Sequence, residues 1–180
     1  NGYMKEIGHA LEDSNDKILE TVMRKDLKVN MNPNLDGFIA ERYHVETFNV
    51  NAVAKKSPWR ARVEVPAGAY GKNSVDVVIY HKDNPNKIIR RYQFKYGANA
   101  KATERMLNNG SYDFQRILVP KGQSQDIGHK SVEFLESPDG KVQSTALSKT
   151  DAKKLQENAQ KLDAVKNDLT FEKDVAVKDL

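Results

Sequence analysis

The stretch from Ser74 to Tyr96 constrains the fold of this chain more than any other. It holds two runs rich in β-branched and aromatic residues, Val75-Asp-Val-Val-Ile-Tyr80 and Ile88-Ile-Arg-Arg-Tyr-Gln-Phe-Lys-Tyr96, joined by Asp83-Asn-Pro-Asn86. Two such runs around a linker of turn composition predict a β-hairpin. A turn centred between Asn84 and Pro85 sets Asp76 directly across from Gln93, and the alternation of side chains along a strand puts Lys95 on the same face. Asp is a poor strand former, and Asp76 interrupts an apolar run, so the position asks for a use of its charge. The competing reading makes Tyr92-Gln-Phe-Lys-Tyr96 a half-buried strand that turns its polar side chains to water.

Upstream, Asp36 reads as an N-cap, and residues 37–54 as a helix with Phe38, Glu41, Val45, Phe48 and Ala52 along one face. Glu41 interrupts that apolar stripe, which is costly unless the carboxylate is paired, hydrogen-bonded or bound to a metal. A border Glu reaching to water is the plainer alternative. His44, one turn on, is read first as a structural histidine, with a contact to the site or to substrate as its functional alternative.

The remaining elements follow from local pattern. Ser14 caps an amphipathic helix to about Lys28, with Ile18, Leu19, Val22, Met23 and Leu27 at helical spacing. Arg60 to Val65 alternates as a strand ended by Pro66, and the following Ala67-Gly-Ala-Tyr-Gly-Lys-Asn-Ser74 is no P-loop, because Pro66 stands where that motif needs glycine. Residues 98–109 favour helix with Gly110 as the stop, and Gln115 to Val119, closed by Pro120, fits a buried strand. The order is therefore helix, three strands, helix, strand. Val132 to Leu135 and Val142 to Thr145, around Ser137-Pro-Asp-Gly140, predict a second hairpin. Ser148 and Asp151 open a terminal amphipathic helix carrying Leu155, Ala159, Leu162 and Leu169.

Composition narrows the chemistry. With no cysteine, disulfides, thiolate metal sites and a thiol nucleophile are excluded. His9, His44, His81 and His129 lack the spacing of a helical zinc site. Only 38% of residues are apolar and 30% are charged, and no run is long and apolar enough for a membrane span. The net charge of +4 and pI near 9.1 favour acidic partners. The basic residues gather in the middle: Lys55, Lys56, Arg60 and Arg62 before the hairpin, Lys87, Arg90, Arg91 and Lys95 on it, and Lys101 and Arg105 after it. A sequence beginning at Asn1 rather than Met is expected to be a processed or excised piece of a longer protein.

Glu41 on the first core helix, Asp76 on the second strand and Gln93-Phe-Lys95 on the third, in this element order, resemble the PD-(D/E)XK nuclease superfamily over roughly residues 34–120. Two departures are visible: Val75 rather than proline precedes Asp76, and Gln93 stands where a carboxylate is commoner. Some members of the superfamily use Gln there, with an acid from the first helix helping to bind metal. The resemblance implies an α/β (α+β) fold of restriction-endonuclease-like type, an α-β-β-β-α-β core with a mixed sheet flanked by helices, an extra hairpin and terminal helices. On that plan residues 1–33 are an N-terminal helical extension, 34–120 the nuclease-like core, and 121–180 a hairpin and C-terminal helix completing the same domain.

The implied activity is divalent-metal-dependent hydrolysis of phosphodiester bonds by a DNA endonuclease, either a restriction-like enzyme or a toxin effector domain. Glu41, Asp76, Gln93 and Lys95 are the implied catalytic set. Glu41, Asp76, Gln93 and the main-chain carbonyl of Phe94 are the implied ligands of Mg²⁺, with Mn²⁺ as a substitute. Lys101 and Arg105, then Lys55, Lys56 and Arg60, are the candidates for phosphate contacts. The implied partners are double-stranded DNA, an immunity or inhibitor protein in the toxin setting, and a second copy in a homodimer. Action in the cytoplasm or on the nucleoid follows, including after delivery within a larger secreted protein. The alternative is a non-catalytic nucleic-acid-binding module of the same fold.

Overall fold

Helix α1 (Leu35–Ala54) buries Leu35, Asp36, Ile39, Ala40, His44, Val45, Phe48 and Ala52, a stripe broad enough to face more than one partner. The computed structural model of the chain describes residues 35–64, 76–108, 110 and 112–161. The expected helix from Ser14 to Lys28, the loop at 67–74, and Leu162 and Leu169 lie outside them.

After α1 come β1 (Trp59–Val63), β2 (Val77–His81), β3 (Asn84–Phe94), helix α2 (Ala100–Leu107) and β4 (Arg116–Leu118), in the expected order. They form a four-stranded sheet of order β1-β2-β3-β4. The first three strands are antiparallel, and β4 returns parallel to β3 after the crossover through α2. A further helix, α3, spans 149–161. The architecture is thus a mixed α/β one, a mixed sheet flanked by helices. No helix among the described residues is long and apolar enough to cross a membrane.

Alternation along the strands decides which face carries the core. Ala61, Val77, Ile79, Tyr92, Phe94, Tyr96 and Leu118 project to one side and pack with Ala40, Val45, Phe48 and Ala52 of α1. Leu135, Val142, Leu147 and Ala152 join the same cluster, so the described residues after 120 share this core. On the other face Ile117 packs with Leu107 of α2, Val119 and Ile127. The outer edge of β1 is closed by Asn49 of α1. Its amide Nδ2 donates to the Ala61 carbonyl at 2.9 Å and its Oδ1 accepts the Ala61 N–H at 2.8 Å, which satisfies groups an edge strand otherwise leaves open.

Four local expectations need correction. Asp36 is not an N-cap: it lies inside α1, buried, and pairs with Lys149 and, at 3.4 Å, with Lys153 of α3. Phe38 is 44% exposed rather than on the buried stripe, because Ile39 and Ala40 take the core positions one residue on. The hairpin turn falls at Lys82 and Asp83, where His81 pairs with Asn84. The register at the other end is nevertheless the expected one, because β3 bulges: Ile79 pairs with Arg90, Tyr80 with Ile88, and the extra residues are absorbed there. The second hairpin is present only as a narrow loop. A single Glu136–Gln143 bridge and the Ser137 and Ser144 N–H bonds to Val142 and Leu135 join its arms, and the Ser137–Gly140 turn closes it.

Helix ends are set by short polar residues. Asn99 caps α2 by accepting the Ala102 N–H at 2.9 Å, and Ser148 caps α3 by accepting the Asp151 N–H at 3.1 Å.

Candidate active site

The pairing of Val77 with Tyr92 continues one residue further, where the Asp76 N–H donates to the Tyr92 carbonyl at 2.9 Å. Asp76 therefore sits opposite Gln93. The contact is direct: Gln93 Nε2 donates to Asp76 Oδ2 at 3.0 Å, and the Phe94 N–H donates to the same oxygen at 2.9 Å. One carboxylate oxygen is thus held by two donors from β3. Gln93 is only 5% exposed, so its amide does not face water as the half-buried-strand reading requires. Its Oε1 is buried and has no hydrogen-bond partner among the described residues.

Lys95 follows on the same face, at the point where β3 still pairs with β4 through a 3.0 Å bond from the Lys95 N–H to the Leu118 carbonyl. Its ammonium lies 5.6 Å from the centre of the Tyr112 ring and acts on Asp76 electrostatically. Burial raises the Asp76 pKa above the ordinary carboxylate value, against the pull of the Phe94 N–H and of Lys95 in the other direction.

Glu41 of α1 lies near enough to Asp76 for the two charges to interact. Burial holds its carboxyl well above the ordinary range, the charge of Asp76 adds to that, and Arg42 only partly offsets it. Two desolvated acids whose charges interact, one of them bonded to an amide whose oxygen has no partner among the described residues, offer hard oxygen donors of the kind a divalent cation takes. The residues present therefore fit a Mg²⁺ or Mn²⁺ ion, with Glu41, Asp76 and the Gln93 amide oxygen as the side-chain donors. No group of three or more His, Cys, Asp or Glu able to hold a metal occurs among the described residues.

His44 is fully buried on the core face. Its Nδ1 lies 2.7 Å from Ser144 Oγ, and its ring stands edge-on to Phe94 with centroids 5.3 Å apart. Burial pushes its pKa down to about 3, so the ring is neutral at ordinary pH. It braces, from behind, the strand whose other face carries Gln93 and Lys95.

Two clamps that sequence reading missed hold the end of β3. In the first, Thr103 Oγ1 accepts the Gly97 N–H at 3.0 Å and donates to Gln123 Oε1 at 2.6 Å, while Gln123 Nε2 donates to the Gly97 carbonyl at 3.1 Å. In the second, Lys149 donates to the Tyr96 carbonyl at 2.7 Å and pairs with Asp36, tying α3 to α1 and to the backbone one residue past Lys95. No local signal marks these residues, since each acts on a partner far away in sequence. Between the clamps opens a cleft of about 480 Å³ lined by Phe94, Lys95, Met106, Lys149 and Lys153 among others.

The basic candidates divide. Lys101 and Arg105 are exposed on α2, the helix clamped to that end of β3 through Thr103. Lys55, Lys56 and Arg60 are not brought to Asp76. Arg60 pairs across with Tyr80, about 13 Å along β2 from Asp76, and its guanidinium is committed to the Ser57 and Trp59 carbonyls. Lys55 donates to the Lys141 carbonyl at 2.8 Å. Trp59 is packed edge-on against His81, centroids 5.3 Å apart, as a structural aromatic.

No family model matches the sequence, and no curated protein or solved structure matches the chain.

Proposed function

We propose that the chain is a divalent-metal-dependent nuclease of the PD-(D/E)XK, restriction-endonuclease-like type, an endonuclease acting on DNA. The observation that carries this reading is the buried, unpartnered Oε1 of Gln93 beside two mutually repelling acids, with an ammonium two residues further along the strand. Glu41, Asp76, the Gln93 amide oxygen and the Phe94 carbonyl would hold Mg²⁺ or Mn²⁺. A bound divalent ion supplies Lewis-acid stabilisation of charge developing on the phosphoryl group and makes a nearby water more acidic.

The chain's own groups do the rest. The two N–H donors on Asp76 Oδ2 fix the orientation of that carboxylate, so its other oxygen is presented without reorganisation. Lys95, the side chain next on that face, orients a water or opposes charge on the non-bridging phosphate oxygens. Lys101 and Arg105 take flanking phosphates, which gives affinity without sequence choice.

A second reading, a nucleic-acid-binding module without catalysis, is favoured by one feature: Gln93 is a neutral donor, and its amide already spends one side on Asp76. Nicking of supercoiled plasmid with Mg²⁺, with Mn²⁺ and with EDTA separates the two. The nuclease reading expects divalent-dependent nicking that Asp76→Asn abolishes and Lys95→Ala lowers by roughly 10²- to 10⁴-fold. DNA retained without product in either metal overturns it in favour of the second.

A further inference from the structure

The loop between α2 and β4 carries a feature that the proposed chemistry does not use. Phe114 is 96% exposed, and its backbone sits at φ 64, a left-handed conformation that is unfavourable for a bulky side chain. An aromatic ring held out into water on a strained backbone recovers nothing by packing, so the strain calls for another use.

Its surroundings give the chemistry of that use. Phe114 lines a groove of about 290 Å³ with Ile89 and Arg91 of β3 and Arg116 of β4. Ile89 is itself 38% exposed. Arg90, also on the rim, is committed to the Glu136 and Ser137 carbonyls, whereas Arg91 and Arg116 make no ion pair among the described residues. Arg116 pairs with Tyr92, one residue on from Arg91, so the two side chains leave opposite faces of the sheet and come together only at the groove they both line. An apolar protein surface docked on the ring would bury both cations without partners, at high cost. A nucleic-acid strand offers a flat apolar base for the ring and phosphates for the cations.

The groove also lies in line with the candidate active site. Arg91, Gln93 and Lys95 alternate along β3 on one face, and Arg91 is about 13 Å from Lys95. The loop follows the same path, with Tyr112 against Lys95 and Phe114 in the groove.

We propose that Phe114, Arg91 and Arg116 form a docking site for an unpaired nucleotide next to the catalytic centre, the base stacking on Phe114 and its phosphates lying between the two arginines. This deepens the nuclease reading by assigning it a substrate with single-stranded character beside the cut. The site rests on that reading only for its class of partner.

The test measures binding rather than cleavage. A fluorescent oligothymidylate is titrated with the full chain in EDTA, alongside a duplex of the same length. Phe114→Ala is expected to weaken oligothymidylate binding roughly 5- to 100-fold, Phe114→Trp to retain it, and duplex binding to change less. Arg91→Ala with Arg116→Ala is expected to weaken binding and flatten its salt dependence. Arg91, Phe114 and Arg116 are all exposed, so these variants are expected to keep the wild-type circular dichroism. If wild type nicks plasmid but Phe114→Ala binds oligothymidylate as wild type does, the stacking site is overturned and the nuclease reading stands. If wild type neither nicks plasmid nor binds either oligonucleotide, both fall.

Discussion

Gln93 Nε2 donates to Asp76 Oδ2 at 3.0 Å, while the other end of the same amide, Oε1, is buried without a partner among the described residues. A buried unsatisfied acceptor costs about 1–3 kcal/mol, and nothing described within the chain offsets it. Gln93→Glu converts this arrangement into a direct test. It removes the donor to Asp76 and sets two carboxylates at contact distance, so the variant is expected to melt below wild type in EDTA. With Mg²⁺ added it should gain more in melting temperature than wild type does, because a third charged ligand binds the ion more tightly. An equal or smaller gain would show that no cation is bound at this place.

The two acids give the pH dependence. Burial is the first cause of the raised pKa of both Glu41 and Asp76, whose ordinary values are 4.5 and 3.8. Between those values and the raised ones the folded chain binds more protons than the unfolded chain. Stability in EDTA therefore falls as pH rises through that window and is lowest once both groups are ionised. Glu41→Gln removes one of these groups. It is expected to melt above wild type at about pH 8 in EDTA, to melt close to it at about pH 4, and to lose the metal-induced rise. Thermal melts across pH read all three, and a Glu41→Gln chain no more stable than wild type at the higher pH contradicts the coupling.

Much of this arrangement is legible in sequence because it rests on local rules. The element order follows from alternation and turn composition, and the Asp76–Gln93 register from the hairpin alone, even though the turn sits elsewhere and a bulge absorbs the difference. Alternation marks Gln93 and Lys95 as sharing a face but cannot say whether that face is wet, and here Gln93 is buried. What local pattern cannot supply is contact between distant residues. His44 meets Ser144 100 positions away, Gln123 closes on Gly97, and Lys149 closes on Asp36. Phe38 departs from the expected stripe for a related reason: a single narrow helical stripe cannot describe α1, whose Leu35 and Ile39 pack against Leu155 and Ala159 of α3 while Val45, Phe48 and Ala52 face the sheet.

The Asp36–Lys149 pair predicts an asymmetry. Asp36 is 1% exposed, so among the described residues Lys149→Met leaves a buried carboxylate with the Lys153 ammonium at 3.4 Å and also frees the Tyr96 carbonyl. Breaking such a pair costs about 3–5 kcal/mol, whereas replacing both partners costs far less. Lys149→Met is expected to lower the melting temperature by roughly 6–20 °C, and the double variant Asp36→Asn with Lys149→Met to recover part of that loss. Equal losses in the single and double variants would mean that Lys149 acts through the Tyr96 carbonyl alone.

Gly97 shows how closely the site depends on backbone approach. A Cβ at this position would lie 2.5 Å from the Thr103 nitrogen and 2.6 Å from its Oγ1, and the first of these is backbone that cannot rotate away. Gly97→Ala must therefore push α2 and the end of β3 apart, breaking the Gly97–Thr103–Gln123 clamp. Overpacking of this kind costs about 1–3 kcal/mol, or roughly 2–12 °C in melting temperature. Because Lys95 lies two residues before the clamp, nicking assayed well below the melting transition is expected to fall by more than the folded fraction accounts for, through kcat rather than DNA affinity. Thr103→Ala removes the hydroxyl without adding bulk, so it should lose stability through the clamp while retaining more activity than Gly97→Ala. If both variants keep wild-type turnover once fully folded, the clamp stabilises the chain without positioning Lys95.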